Sequence, residues 1–166
     1  DKDHYVVVTD DDLEKIKRLS DKEVDKNIEI DNIRKKSHLF FIVGTLEYLK
    51  KGGRIGKVAG TIGELLNIKP IIAIDENDGK YYTKSKVRGR KQSLNKLLEF
   101  AEEILKEKKC MVYVLHGNAL EEAKKLCEKL SNFKNAIKVV FDGGISPVAG
   151  AHSGPGLIGV LLIEES

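Results

Sequence analysis

The sequence predicts an α/β domain of two layers, a mixed and partly antiparallel sheet covered by helices. Three observations carry this. Short apolar runs of strand length alternate with stretches of helical periodicity, as they must where helices pack on a sheet. Asp75-Glu76-Asn77-Asp78-Gly79 is turn chemistry between two strand-like runs, so part of the sheet returns as an antiparallel hairpin. At 166 residues the chain is long enough for one domain with a proper core and short for two.

Taken in order, Tyr5-Val6-Val7-Val8 reads as a strand closed by Thr9 and three aspartates. Asp10 or Asp11 is placed to cap a helix carrying Leu13, Ile16 and Leu19. From residue 21 to 36 charges dominate and only Val24, Ile28, Ile30 and Ile33 recur. That pattern fits an amphipathic helix, while Ile28-Glu29-Ile30-Asp31 also alternates as an edge strand would. Residues 1–38 are therefore set apart as an N-terminal segment, strand plus charged helix, and residues 39–166 as the main domain.

Residues 39–43 form a buried strand that feeds Thr45, the expected cap of a short helix. Leu46, Tyr48 and Leu49 give that helix an apolar side, and Lys50 and Lys51 oppose the negative end of its dipole. Gly52 and Gly53 supply a positive-φ stop. Arg54 then stands at the exit of one helix and the entry of the next. The second helix puts Ile55, Val58, Ile62, Leu65 and Leu66 on one side, with Gly56, Gly60 and Gly63 at spacings of four and three. Each such glycine costs about 1 kcal/mol against alanine, which makes sense if a backbone or a ligand chain must come close.

Residues 68–74 are the next strand, and Pro70 near its start points to a sheet edge or a strand end. Tyr81-Tyr82-Thr83 returns after the turn, and residues 84–91 read as a solvated basic turn. Leu94, Leu97, Leu98, Ala101, Ile104 and Leu105 trace one face of a helix of about five turns. A strand at 111–115 ends at His116-Gly117, and Asn118 is positioned to cap a helix over 119–130. A strand at 137–141, a turn at Asp142-Gly143-Gly144, an apolar lead-in at 148–151 and a last strand at 157–163 complete the pattern.

Hydrophobic residues make up 41% and charged residues 33%, an ordinary globular composition. A net charge of +3 is too small to argue for nucleic acid. Cys110 and Cys127 lack metal-ligand spacing and read as reduced and buried, as in a cytoplasmic protein. No uncharged apolar run approaches the roughly 18 residues of a membrane span, and no signal peptide opens the chain, so a soluble protein is expected. There is no nucleophile elbow, P-loop, metal cluster or dinucleotide fingerprint. Catalytic residues, metal and cofactor are accordingly not assigned, and binding is the default role.

The run LEYLKKGGRIGKVAGTIGELLNIKPII closely resembles the corresponding run of the DegV family of bacterial fatty-acid-binding proteins. PVAGAHSGPGLIGVLL is similar to the family's His-x-Gly-Pro-Gly segment, and KVRGRKQSLNKLLEF to its basic turn and following helix. The resemblance covers 39–163 and corresponds to the C-terminal domain of a two-domain protein, whose first domain this chain has no room for. Thr9-Asp10-Asp11-Asp12 resembles only weakly the Asp-Ser-Thr stretch with which members begin. The resemblance implies a long-chain fatty acid as ligand, and a role like that of the acyl carrier of a bacterial fatty acid kinase. The rival is a stand-alone interaction or regulatory domain that binds no lipid.

Particular residues follow. On residue chemistry alone His152 is as readily a structural hydrogen-bonder as a ligand contact, and the resemblance favours the ligand. Gly154 and Gly156 would let a ligand approach backbone N–H groups, with Pro155 setting the turn. Arg54 either satisfies carbonyls of the preceding helix or points at an anion or a domain partner. Gly56, Gly60, Gly63 and Ile62 are expected to line an acyl channel. Arg88 and Arg90 flank a glycine and, by resemblance, would face a phosphate or a kinase subunit. His4, His38 and His116 are read as ordinary, and Tyr48, Tyr81 and Tyr82 as core and sheet aromatics.

Overall fold

The structure is a computed structural model and describes residues 26–61, 67–75 and 77–165. The strand at 5–8, the capped helix after it, and Ile62, Gly63, Leu65 and Leu66 lie outside the described residues. In order the elements are α1 (Lys26–Lys35), β1 (Ser37–Ile42), α2 (Glu47–Lys51), a 3-10 turn (Gly56–Thr61), β2 (Ile68–Ile74), β3 (Tyr81–Arg88), α3 (Arg90–Glu107), β4 (Cys110–Gly117), α4 (Leu120–Leu130), β5 (Ala136–Gly144), α5 (Pro147–Ser153) and β6 (Leu157–Glu164).

The six described strands form one sheet in the order β3-β2-β1-β6-β4-β5. Every neighbouring pair is antiparallel except β4 and β5, which run parallel and are joined through α4. The mixed α/β sheet is as expected. Alternation along the strands divides the core in two. One face buries Ile42, Ile71, Val112, Val114, Ile158, Val160 and Leu162 under α3 and α4, which contribute Leu97, Ala101, Leu105, Ala123 and Leu130. The other face holds a smaller cluster of Phe41, Val43, Leu49, Val58, Ile72 and Leu157. There the short α2, the 3-10 turn and α5 add a thin third layer beyond the two expected.

Several local readings need correction. Residues 26–35 are helical, which settles the choice between helix and edge strand. The glycine-rich helix begins as a 3-10 turn rather than an α-helix. Gly56 has φ +53°, and a Cβ there would lie 2.6 Å from the Tyr81 carbonyl oxygen, so what approaches it is the β3 backbone. Pro70 lies on an interior strand, but near its start, where β1 is not yet paired. The basic segment is no solvated turn. Lys84, Lys86 and Arg88 belong to β3, and Gly89 (φ +80°) alone turns the chain into α3.

Asn118 does not cap α4; it sits at φ +53°, and His116 Nδ1 accepts the Ala119 N–H at 3.3 Å instead. Residues 142–144 continue β5 instead of turning, and the Ile145 N–H donates to the His116 carbonyl at 2.9 Å. His152 ends a helix, not a strand. Ser146 Oγ accepts the Ala149 N–H at 3.2 Å, and Pro147 takes the first turn of α5, where its missing N–H costs nothing. Only Gly53 of the Gly52-Gly53 pair has positive φ (+69°). The Arg54 N–H returns to the Leu49 carbonyl at 2.8 Å and the Gly53 N–H to Lys50 at 3.1 Å, the Schellman pattern that ends α2.

Candidate functional site

A cavity of about 390 Å³ opens on the face of the sheet away from α3 and α4. Its floor is Leu39 and Phe41 from β1, Leu115 from β4, and Leu157 and Gly159 from β6. Val148, Ala149, His152 and Ser153 of α5 overhang it, and Leu49, Arg54 and Tyr81 close other sides. Apart from the imidazole, the guanidinium, the Tyr81 ring and two serines, the lining is apolar. The fold thus brings together His152 and Arg54, which the chain holds far apart.

Two glycines seat α5 on α2. A Cβ on Gly52 would overlap His152 Nδ1, and a Cβ on Gly154 would overlap the Tyr48 ring. Tyr48 is therefore 40% exposed and covers Gly154, not the core that its helical spacing suggested. His152 Nδ1 is buried and has no hydrogen-bond partner. A buried ring nitrogen left unpaired costs free energy.

Arg54 is exposed, and its Nη1 donates to the Gly52 carbonyl at 2.7 Å. It both satisfies the helix end and stands at the cavity wall. Gly154 and Gly156 have a task other than presenting N–H groups. The Gly154 N–H donates to Gly150 at 2.8 Å and that of Gly156 to Gly117 at 2.6 Å. Their positive φ angles, +71° and +85°, carry the chain from α5 into β6. Gly56 and Gly60 do not line the cavity; nothing stands within 4 Å of the place a Gly60 Cβ would take.

Arg88 and Arg90 do not converge. Arg88 is exposed at the end of β3. Arg90 is forked onto Glu122 of α4, Nε to Oε1 at 3.1 Å and Nη2 to Oε2 at 2.7 Å, which holds the Glu122 carboxyl below its usual range. That fork is already filled by a carboxylate. Among the described residues no group of His, Cys, Asp and Glu could hold a metal.

A larger cavity of about 580 Å³ lies by α1 and the β2–β3 hairpin, lined by Arg34, His38, Asp75, Asp78 and Lys84 among others. Its charges are spent internally. Lys57 bonds Asp75 at 2.6 Å and Asp78 at 3.1 Å, tying the 3-10 turn to the hairpin, and His38 bonds Glu164 at 2.7 Å. The Lys57 ammonium, with the Asn77 N–H, lowers the Asp75 carboxyl to about 2. A lowered carboxyl stabilises the fold above its unfolded value of 3.8, and this is lost as pH falls toward 2. Asp75→Asn is therefore less stable than wild type at neutral pH, with the gap closing below pH 3.8. Urea midpoints across that range check it; a gap independent of pH would remove the charge from the clamp.

Two features of the site escaped the sequence reading. Ser146-Pro147 is a helix-start signature that could have revealed α5. Gly159 is an isolated glycine inside an apolar strand, which marks a close approach or a vacancy.

With this geometry in place, known proteins can be compared. A family model described as "Uncharacterised protein, DegV family" matches residues 19–165. It includes α1. A DegV domain-containing protein of Clostridium acetobutylicum is 60% identical over 136 residues, which is 82% of this chain and 48% of that protein. A fatty-acid-binding DegV family protein from Thermus thermophilus superposes with TM-score 0.80 at 24% identity, covering 92% of this chain and 55% of that one. DegV from Bacillus subtilis, described as a fatty acid binding protein, gives TM-score 0.72 at 28% identity over 92% of this chain and 53% of its own. The chain spans about half the length of the relatives it matches.

Proposed function

Because the chain belongs to the DegV family, we propose that it binds a long-chain fatty acid, with the hydrocarbon tail in the cavity beneath α5 and the carboxylate near His152 and Arg54. The observation that carries this is an apolar cavity whose few polar groups include a buried imidazole nitrogen without a partner. Each methylene taken from water contributes about 0.8 kcal/mol, so the tail supplies most of the affinity and the head group fixes its register. The role is binding rather than catalysis, in the manner of an acyl carrier to a fatty acid kinase in the cytoplasm. Arg88, exposed at the end of β3, is the cation proposed to meet such a partner. Among the described residues no helix is long and apolar enough to cross a membrane.

The half of the relatives beyond this chain would cover the cavity mouth, so the chain binds more weakly alone than with it. Native mass spectrometry of protein purified from bacteria tests the reading. An adduct of C14–C18 acid mass is expected. A clean apo mass, persisting when such acids are added in excess, overturns it in favour of an interaction domain without lipid.

A further inference from the structure

Most glycines around the cavity are explained by their backbone or by a neighbour. Gly53 and Gly156 have positive φ, and a side chain on Gly52 or Gly154 would strike His152 or Tyr48. Gly159 is different. It is buried in the interior of β6, in extended backbone that any residue adopts. A Cβ there would make only ordinary contacts, at 3.4 Å from Phe41 Cβ, 3.7 Å from the Phe40 carbonyl oxygen and 4.0 Å from Leu39 Cδ1. Neither the backbone nor packing requires glycine, and in a strand interior it weakens the sheet.

The position explains the vacancy. Ile158 and Val160 turn into the core beneath α3 and α4, so Gly159 faces the other way, into the cavity. The register sets it between Phe41 on β1 and Leu115 on β4, both of which line the same space. The floor is thus bare backbone between two large side chains.

We propose that Gly159 sets the depth of the cavity and thereby the length of hydrocarbon tail it accepts; this rests on the fatty-acid reading above. The room a side chain would fill is kept for the ligand, at the expense of strand stability. Any side chain at 159 would shorten the longest acid held.

The test titrates the chain and its Gly159→Ala and Gly159→Val variants with saturated C10, C14 and C18 acids, and melts each protein without ligand. Ligand-free Gly159→Ala should melt at or a few degrees above wild type. Affinity for the C18 acid should fall about fourfold for each methylene displaced, more for valine than for alanine, while the C10 acid is held as before. Equal loss for all three acids, or no loss with valine, overturns the assignment of Gly159. Wild type that binds none of the acids overturns the fatty-acid reading itself, a result seen before any variant is compared.

Discussion

His152→Ala lowers the affinity for palmitic acid tenfold to a hundredfold and leaves the ligand-free protein melting within a few degrees of wild type. The imidazole lines the cavity, and its Nδ1 is buried without a hydrogen-bond partner. A hydrogen bond to a carboxylate contributes roughly 1.5–3 kcal/mol, which gives the expected range. Since Nδ1 bonds nothing in the ligand-free chain, removing the ring breaks no hydrogen bond of that nitrogen and loses the packing against Gly52. Titration calorimetry with parallel melts separates the two roles. Unchanged affinity per folded molecule would mean that the head group is held elsewhere.

Gly154→Ala has the larger effect on stability, a loss of about 2–4 kcal/mol. The residue combines φ +71° with ψ −179°, a region that only glycine occupies without strain. Its Cβ would also overlap the Tyr48 ring, the contact that packs α5 on α2. The two costs can be separated. In a Tyr48→Ala background the overlap disappears and the strain remains, so the same substitution should then cost less, though still about 1 kcal/mol or more. Chemical denaturation of the four proteins gives the cycle; equal costs in both backgrounds would show that the ring yields freely.

What the sequence made legible follows from what periodicity can carry. The runs at 39–43, 68–74 and 157–163 are apolar on both sides because β1, β2 and β6 are covered on both faces, and their strands were plain. The repeated leucines of α3 announced a long helix equally well. α5 was missed because seven residues give too few turns for a period, and only Ser146-Pro147 marked its start. Glycine was the harder problem. Gly53 answers a backbone angle, Gly56 a neighbouring carbonyl, Gly52 an imidazole and Gly159 none of these. One letter stands for four physical reasons, and only packing tells them apart. His152 and Arg54 were found by motif, yet that they share one cavity was visible only once α2 and α5 met.

β6, the last of the described strands in chain order, does not sit at an edge of the sheet; it lies between β1 and β4. Until it arrives, β1–β2–β3 and β4–β5 are two separate ribbons, and among the described strands their inner edges have no partner. Its pairing with β1 joins Ser37 to Ile163, a loop closure across most of the chain that forms only after a large entropic cost. On a ribosome, the sheet cannot close before residues 157–164 have left the exit tunnel, and the nascent chain meanwhile presents the open edges of β1 and β4 to its neighbours. The strand that floors the cavity beneath α5 is therefore also the one that joins the two ribbons, and the cavity and the described sheet form in the same event.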